Sequence, residues 1–126
     1  MQPVNLFKLA SLQAEWLSVR QAAIAGNIAN ANTPGYRAVD VEPFEKVLAR
    51  TSVSLTATNE GHFGSRAQEA SFKTKEDDRT TAILPSDNTV VLESELMKSG
   101  EIARSFELNT AIVKAFHRMA LMSVKV

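Results

Sequence analysis

Two long apolar stripes, one near each end of the chain, constrain the fold more than any other feature of this sequence. From about Asn5 to Ala31, Leu9, Leu12, Trp16, Val19, Ala23 and Gly26 step by three or four residues, with Leu17, Ile24, Ile28 and Ala31 forming an adjoining row. Such spacing places the residues along one face of an α-helix. No proline interrupts the pattern after Pro3, so the helix should run about 40 Å at ~1.5 Å per residue. The second stripe runs from about Val91 to Met122 through Leu92, Leu96, Ser99, Ile102, Phe106, Asn109, Val113, Phe116 and Ala120, widened by Ile112, Met119 and Met122. Glu93 and Glu95 in its first turn, and Lys114, Arg118 and Lys125 near its end, follow the order the helix dipole favours. Gly100 is its weak point, at roughly 1 kcal/mol relative to alanine, and Asn88 or Thr89 are the expected N-caps. Each stripe is wider than an isolated two-helix seam uses, so each helix needs partners on more than one side.

The expected fold is therefore mainly α: long N- and C-terminal helices pairing as an antiparallel, coiled-coil-like hairpin, with a small irregular centre. The chain divides into residues 1–36 (first helix and its terminating turn), 37–89 (centre) and 90–126 (second helix). In the centre, Glu42-Pro43-Phe44 suits a short helix with proline in the first turn, facing Phe44, Val47 and Leu48 inward. Ser52 to Thr58 alternates Val53, Leu55 and Ala57 with hydroxyl residues, the pattern of a short half-buried strand. The polar stretch of about 65–81, which crowds Lys73, Lys75, Glu76, Asp77, Asp78 and Arg79 together, reads as a mobile, solvated loop.

Charge narrows the partners. Lys+Arg and Asp+Glu balance at 14 each, so nothing in the composition points to nucleic acid, an anionic membrane or an acidic substrate. The absence of cysteine excludes disulfides and thiolate metal sites. The opening MQPVNLFKLASLQ lacks the basic region and unbroken apolar core of a cleavable signal. The expectation is a cytoplasmic protein, or one exported without a cleaved signal.

Asn27 to Tyr36, NIANANTPGY, ends the first helix. Asn27 and Asn30 share a helical face in or beside the apolar rows, where a buried amide costs stability unless paired but penalises wrong registers. Thr33-Pro34-Gly35-Tyr36 fits a type II β-turn, with proline at the second position and glycine supplying φ > 0 at the third. Proline also drives Thr33 out of the helical region. The helix should stop there, with Tyr36 free to pack back against it.

Catalytic chemistry finds no foothold. His117 falls on the second helix beside Phe116, and His62 lies between Gly61 and Gly64, with no second histidine at metal-ligand spacing. Glu76-Asp77-Asp78 lacks the alternation and glycine of a calcium loop. Ser65 and Ser71 have no base pattern to activate them, and the paired glycines lack the Lys-Ser/Thr ending of a phosphate loop. The expectation is no enzyme, no cofactor, no metal and no small-molecule substrate.

The string Asn27, Ala29, Asn30, Thr33, Pro34, Gly35 and Tyr36, set between an apolar-striped N-terminal helix and a matching C-terminal one, resembles the bacterial flagellar axial proteins, the rod and hook family. The short length, SVRQAAIAGNIAN before the string, and DNTVVLESELMKSGE from Asp87 to Glu101 look most like its proximal rod members. The likeness covers the first and last forty or so residues. Members often carry Asp-Gly-Asn before the C-terminal helix, where this chain has Ser86-Asp87-Asn88. The resemblance implies a rod subunit of the flagellar basal body, delivered through the flagellar type III export apparatus and assembling in the periplasmic space. It implies a hollow helical tube built by the terminal helices, with other copies, other rod proteins and inner-membrane ring and export-gate components as partners. The seven string residues become the assembly motif. Leu9, Leu12, Trp16, Val19, Ile24, Ile28, Leu92, Leu96, Ile102, Phe106, Val113 and Phe116 become the helix-packing set. Two other classes stay open: a soluble helical-hairpin adaptor or export chaperone that binds a partner helix, and a small DNA-binding helical protein, which the neutral charge disfavours.

Overall fold

Helix α1 (Leu6–Ala29) is followed by strand β1 (Val39–Val41), helix α2 (Phe44–Thr51), strand β2 (Thr74–Glu76) and helix α3 (Leu92–Val124). The computed structural model describes residues 6–51, 71–77 and 85–125. The strand expected over 52–58 and His62 lie outside the described residues.

The terminal helices pack antiparallel, as their matching stripes require. Leu17, Ile24 and Ile102 form the buried core, with Trp16, Ile28 and Phe106 packed around it. At one end Asn27 meets Glu95; at the other, Phe7 and Phe116 stack edge-to-face with centroids 5.3 Å apart. Between the core and that aromatic pair, the buried Asn109 amide donates to the Ala10 carbonyl and to Gln13 Oε1, both at 3.0 Å. Its satisfied amide fixes the register of the two helices, because a shift by one turn would strand a buried polar group.

The row that carries the α1 side of the seam is Ala10, Leu17, Ile24 and Asn27, which lies beside the longer apolar row through Leu9, Leu12 and Val19. Those three are only half-buried. Gln13 and Arg20 share the seam with the buried apolar residues, so its apolar pattern is diluted by polar groups that find partners.

Helix α2 starts just after Pro43 and buries Val47, with Phe44 and Leu48 half-buried, the inward face expected. Three residues of the stretch expected to be loop form β2. It pairs antiparallel with β1 in the register Val39↔Glu76, Asp40↔Lys75 and Val41↔Thr74, extended by Glu42 N–H to the Lys73 carbonyl and Asp77 N–H to the Ala38 carbonyl. Residues 73–76 are solvent-exposed as their charges require, but the backbone is paired here.

Helix α3 has 33 residues against 24 in α1, so roughly 14 Å of it extends past its partner at ~1.5 Å per residue. Gly100 lies within it, and a Cβ there would meet no described atom within 4 Å. Gly100→Ala should therefore stabilise the chain by about 0.5–1 kcal/mol through helix propensity. Thermal unfolding should show a midpoint raised by ~2–6 °C; a lowered midpoint would mean that the position is crowded in solution.

Candidate assembly site

The NIANANTPGY segment is a junction where α1 ends, β1 begins and α3 is clamped. Asn27 is fully buried and uses all four of its hydrogen-bonding positions. Its Nδ2 donates to the Val39 carbonyl (2.7 Å) and to Glu95 Oε2 (2.9 Å), while its Oδ1 accepts from Val39 N–H (3.0 Å) and Tyr36 O–H (3.3 Å). One amide thus joins α1 to β1, to α3 and to the aromatic ring that follows the turn. Asn30 works locally, donating to the Gly26 carbonyl and accepting from the Thr33 hydroxyl.

The turn has the expected geometry. Gly35 has φ +73°, and Tyr36 N–H donates to the Thr33 carbonyl at 3.3 Å, the closing bond of a type II turn. Tyr36 packs back on α1, its hydroxyl 4.0 Å from a Cβ built at Gly26. Ala29, Pro34 and Gly35 are exposed.

Asn88 and Thr89, expected to cap α3, are used elsewhere. The N-cap of α3 is Val91, without a side-chain hydrogen bond among the described residues. The buried Asn88 amide instead donates to three carbonyls at the end of α1, those of Asn30 (2.9 Å), Ala31 (3.0 Å) and Thr33 (2.8 Å). All three lie just past the end of α1, and two also accept a backbone N–H, Asn30 from Thr33 and Thr33 from Tyr36. Thr89 accepts the Ala38 N–H on its hydroxyl (2.8 Å). The reason is proximity: residues 35–38 run beside 86–89, with Gly35 N–H on the Ser86 carbonyl and Thr89 N–H on the Tyr36 carbonyl. Asp87 has φ +58°, a left-handed conformation that glycine adopts freely and aspartate tolerates. Asp87 thus takes, at the place of the missing glycine, a conformation open to glycine. Arg37 pairs with the Asp87 carboxylate at 3.3 Å.

A charged cluster adjoins the junction. Arg20 grips Asp40 through Nε and Nη2 (3.0 and 3.2 Å) and lies 5.6 Å over the Trp16 ring, whose indole N–H donates to the Glu42 carbonyl at 2.9 Å. Lys98 Nζ reaches Asp77 (2.5 Å), Glu95 (3.1 Å) and Asp40 (3.8 Å). Burial works against the Lys98 ammonium, but the hydrogen bonds it donates to Asp77 and Glu95, together with the charges of those carboxylates, raise its pKa above the ordinary lysine value. A raised lysine pKa stabilises the fold in full below the unfolded value and is lost only as pH climbs through the folded one. Lys98 is thus charged at neutral pH. Beside it an open groove of about 740 Å³ borders Trp16, Arg20, Phe44 and Glu101. Among the described residues, no group of three or more His, Asp or Glu is arranged to hold a metal.

Of the packing set, Ile24 and Ile102 are buried, and Trp16, Ile28 and Phe106 pack on them. Leu9, Leu12, Val19 and Val113 are half-buried, whereas Leu92, Leu96 and Phe116 are exposed. The periodicity put Leu17 in the adjoining row but the packing set left it out, and Glu95, Lys98 and Arg20 were missed as seam residues. Their signal was the three- and four-residue spacing of Glu95, Lys98 and Ile102, which a search for apolar residues passes over.

A family model described as "Flagella basal body rod protein" matches residues 16–37, from Trp16 to Arg37. That span holds the C-terminal half of α1 and the whole NIANANTPGY segment. Over the full length, the chain is 48% identical to the flagellar basal body rod protein FlgB of Agrobacterium fabrum, covering 99% of this chain and 96% of that protein. The chain belongs to the flagellar basal-body rod protein family. As a rod-family protein it is a structural component of the flagellar basal body, and the family model covers the α1 side of the junction.

Proposed function

We propose that this chain is a proximal rod subunit that self-assembles through its terminal helices into a hollow helical tube, linking the inner-membrane ring to the distal rod and transmitting torque. The observation that carries this reading is a mismatch between the outer faces of the two helices. On α3, Leu108, Ile112, Ala115, Met119 and Met122 form one exposed row; on α1, Ser18, Ala22, Ala25 and Ala29 form another. Large side chains on one face and small ones on a different face support packing of one copy's α3 on another copy's α1. Contact between unlike faces is heterologous, and where its rotation does not close a ring it propagates as an open helical filament. Exposed apolar rows of this size mark interaction surfaces on a protein. Export through the type III apparatus and assembly in the periplasm, beside other rod proteins and export-gate components, follow from the same reading.

The test is the double variant Met119→Lys/Met122→Lys, which leaves the core of Leu17, Ile24 and Ile102 untouched. It should remain folded and exported, yet be absent from purified basal bodies, with motility lost. Normal incorporation would overturn the reading. An adaptor or chaperone built on the same hairpin would instead stay monomeric as concentration rises, so sedimentation of the unaltered protein over a concentration series separates the two.

A further inference from the structure

Strand β2 poses a problem of retention. Its three side chains are all exposed, and a three-residue pairing with β1 is marginal by itself. β1 is anchored on α1 through Asn27, Arg20 and the Trp16 bond to Glu42, but those contacts do not touch β2. What reaches inward from β2 is the residue that follows it, Asp77, whose side chain is 7% exposed and lies 2.5 Å from Lys98 Nζ. The same ammonium, 12% exposed, bonds Glu95 on α3 and faces Asp40 on β1, while Glu95 accepts from Asn27 on α1. One cation therefore draws together carboxylates from three elements and, through Glu95, a fourth.

We propose that Lys98 is a positioning residue, a latch that fixes the outer β1–β2 ribbon to the helical hairpin so that the two move as one body. Without its charge, Asp40, Asp77 and Glu95 would face one another, with Arg20 and Asn27 left to compensate on one side only. Like charges brought together in a poorly solvated site repel, so the ribbon end that carries Asp77 would lift away while the apolar core stays closed. Lysine suits the position because a compact ammonium on a flexible stem can direct its three donors to separate acceptors. In a rod subunit the latch would couple the outer segment to the axial helices. That consequence rests on the rod reading, whereas the latch itself does not.

The test is amide exchange on the free full-length chain, which needs no assembled rod. In Lys98→Met, and separately in Asp77→Asn, the amides of Glu42 and Asp77 and the ladder between β1 and β2 should exchange about ten- to a hundredfold faster, the range expected for losing a charged hydrogen bond. Amides around Leu17, Ile24 and Ile102 should keep their protection. Lys98→Arg retains the charge and should recover most of the ribbon protection, a rescue that a purely space-filling role would not give. The Asp77→Asn variant guards against misfolding, since it alters an isosteric group outside both long helices. Unchanged ribbon protection in Asp77→Asn, or loss spread evenly over ribbon and hairpin, would overturn the proposal.

Discussion

Asn27→Asp should cost about 3–5 kcal/mol, the range for leaving a buried charge uncompensated. The substitution is isosteric, so packing is not the cause. Both Nδ2 donors vanish, leaving the Val39 carbonyl and Glu95 Oε2 without the partners that hold them at 2.7 and 2.9 Å. In their place a second carboxylate faces the fully buried Glu95. Lys98 then has to balance one more negative charge while already serving Asp77 and Glu95. Urea denaturation should show the loss as a lower midpoint with little change in slope, because the surface exposed on unfolding is unchanged. Pairing it with Glu95→Gln should recover part of the loss, since a glutamine amide can donate to the new carboxylate. A loss below about 1 kcal/mol, within the range of a surface polar contact, would mean that the Asn27–Glu95 bond is not formed in solution.

The two helices, their pairing and the turn at Pro34-Gly35 were legible in the sequence because apolar spacing and turn chemistry are local signals, although α1 ends at Ala29, a few residues before the expected stop. The polar half of the seam was not. Glu95 reads from sequence as a first-turn acid facing the helix dipole, and Lys98 as surface charge. Only the fold reveals that Asp40 and Asp77 meet Lys98 and that Asn27 meets Glu95, across sequence distances that no spacing rule spans. Asn88 shows the same limit. An asparagine shortly before a helix reads as that helix's cap, yet its amide is used by the carbonyls of another helix end, 55 to 58 residues earlier. Leu17 was obscured for a different reason. Its seam row alternates with Gln13 and Arg20, so the neighbouring row through Leu9 and Leu12 had the stronger apolar pattern although it is less buried. The β2 strand was hidden by its own charges: Lys75 and Glu76 point to solvent while the backbone pairs with β1.

Gly35→Val should keep the chain out of the rod while leaving it expressed. At φ +73° glycine is at ease and a β-branched residue is not. A Cβ at this position would meet no described atom within 4 Å, so crowding adds nothing and backbone conformation sets the whole cost, about 1–3 kcal/mol. That is small beside the loss expected at Asn27, and the hairpin should stay folded. The effect on assembly is larger because of what the glycine directs. Its N–H bonds the Ser86 carbonyl, and the next residue bonds Thr33 and receives Thr89. Relaxing φ to a negative value would swing these groups apart and displace Tyr36 from Asn27, 3.3 Å away. On the rod reading every subunit repeats this junction, so a small misdirection of the outer segment accumulates along the tube. Gly35→Ala should be milder, since alanine enters the left-handed region at lower cost than a β-branched residue. The measurement is motility together with the amount of each variant in basal bodies and in the exported fraction. If Gly35→Val incorporates normally, the turn relaxes without consequence, and the junction is not what positions one subunit on the next.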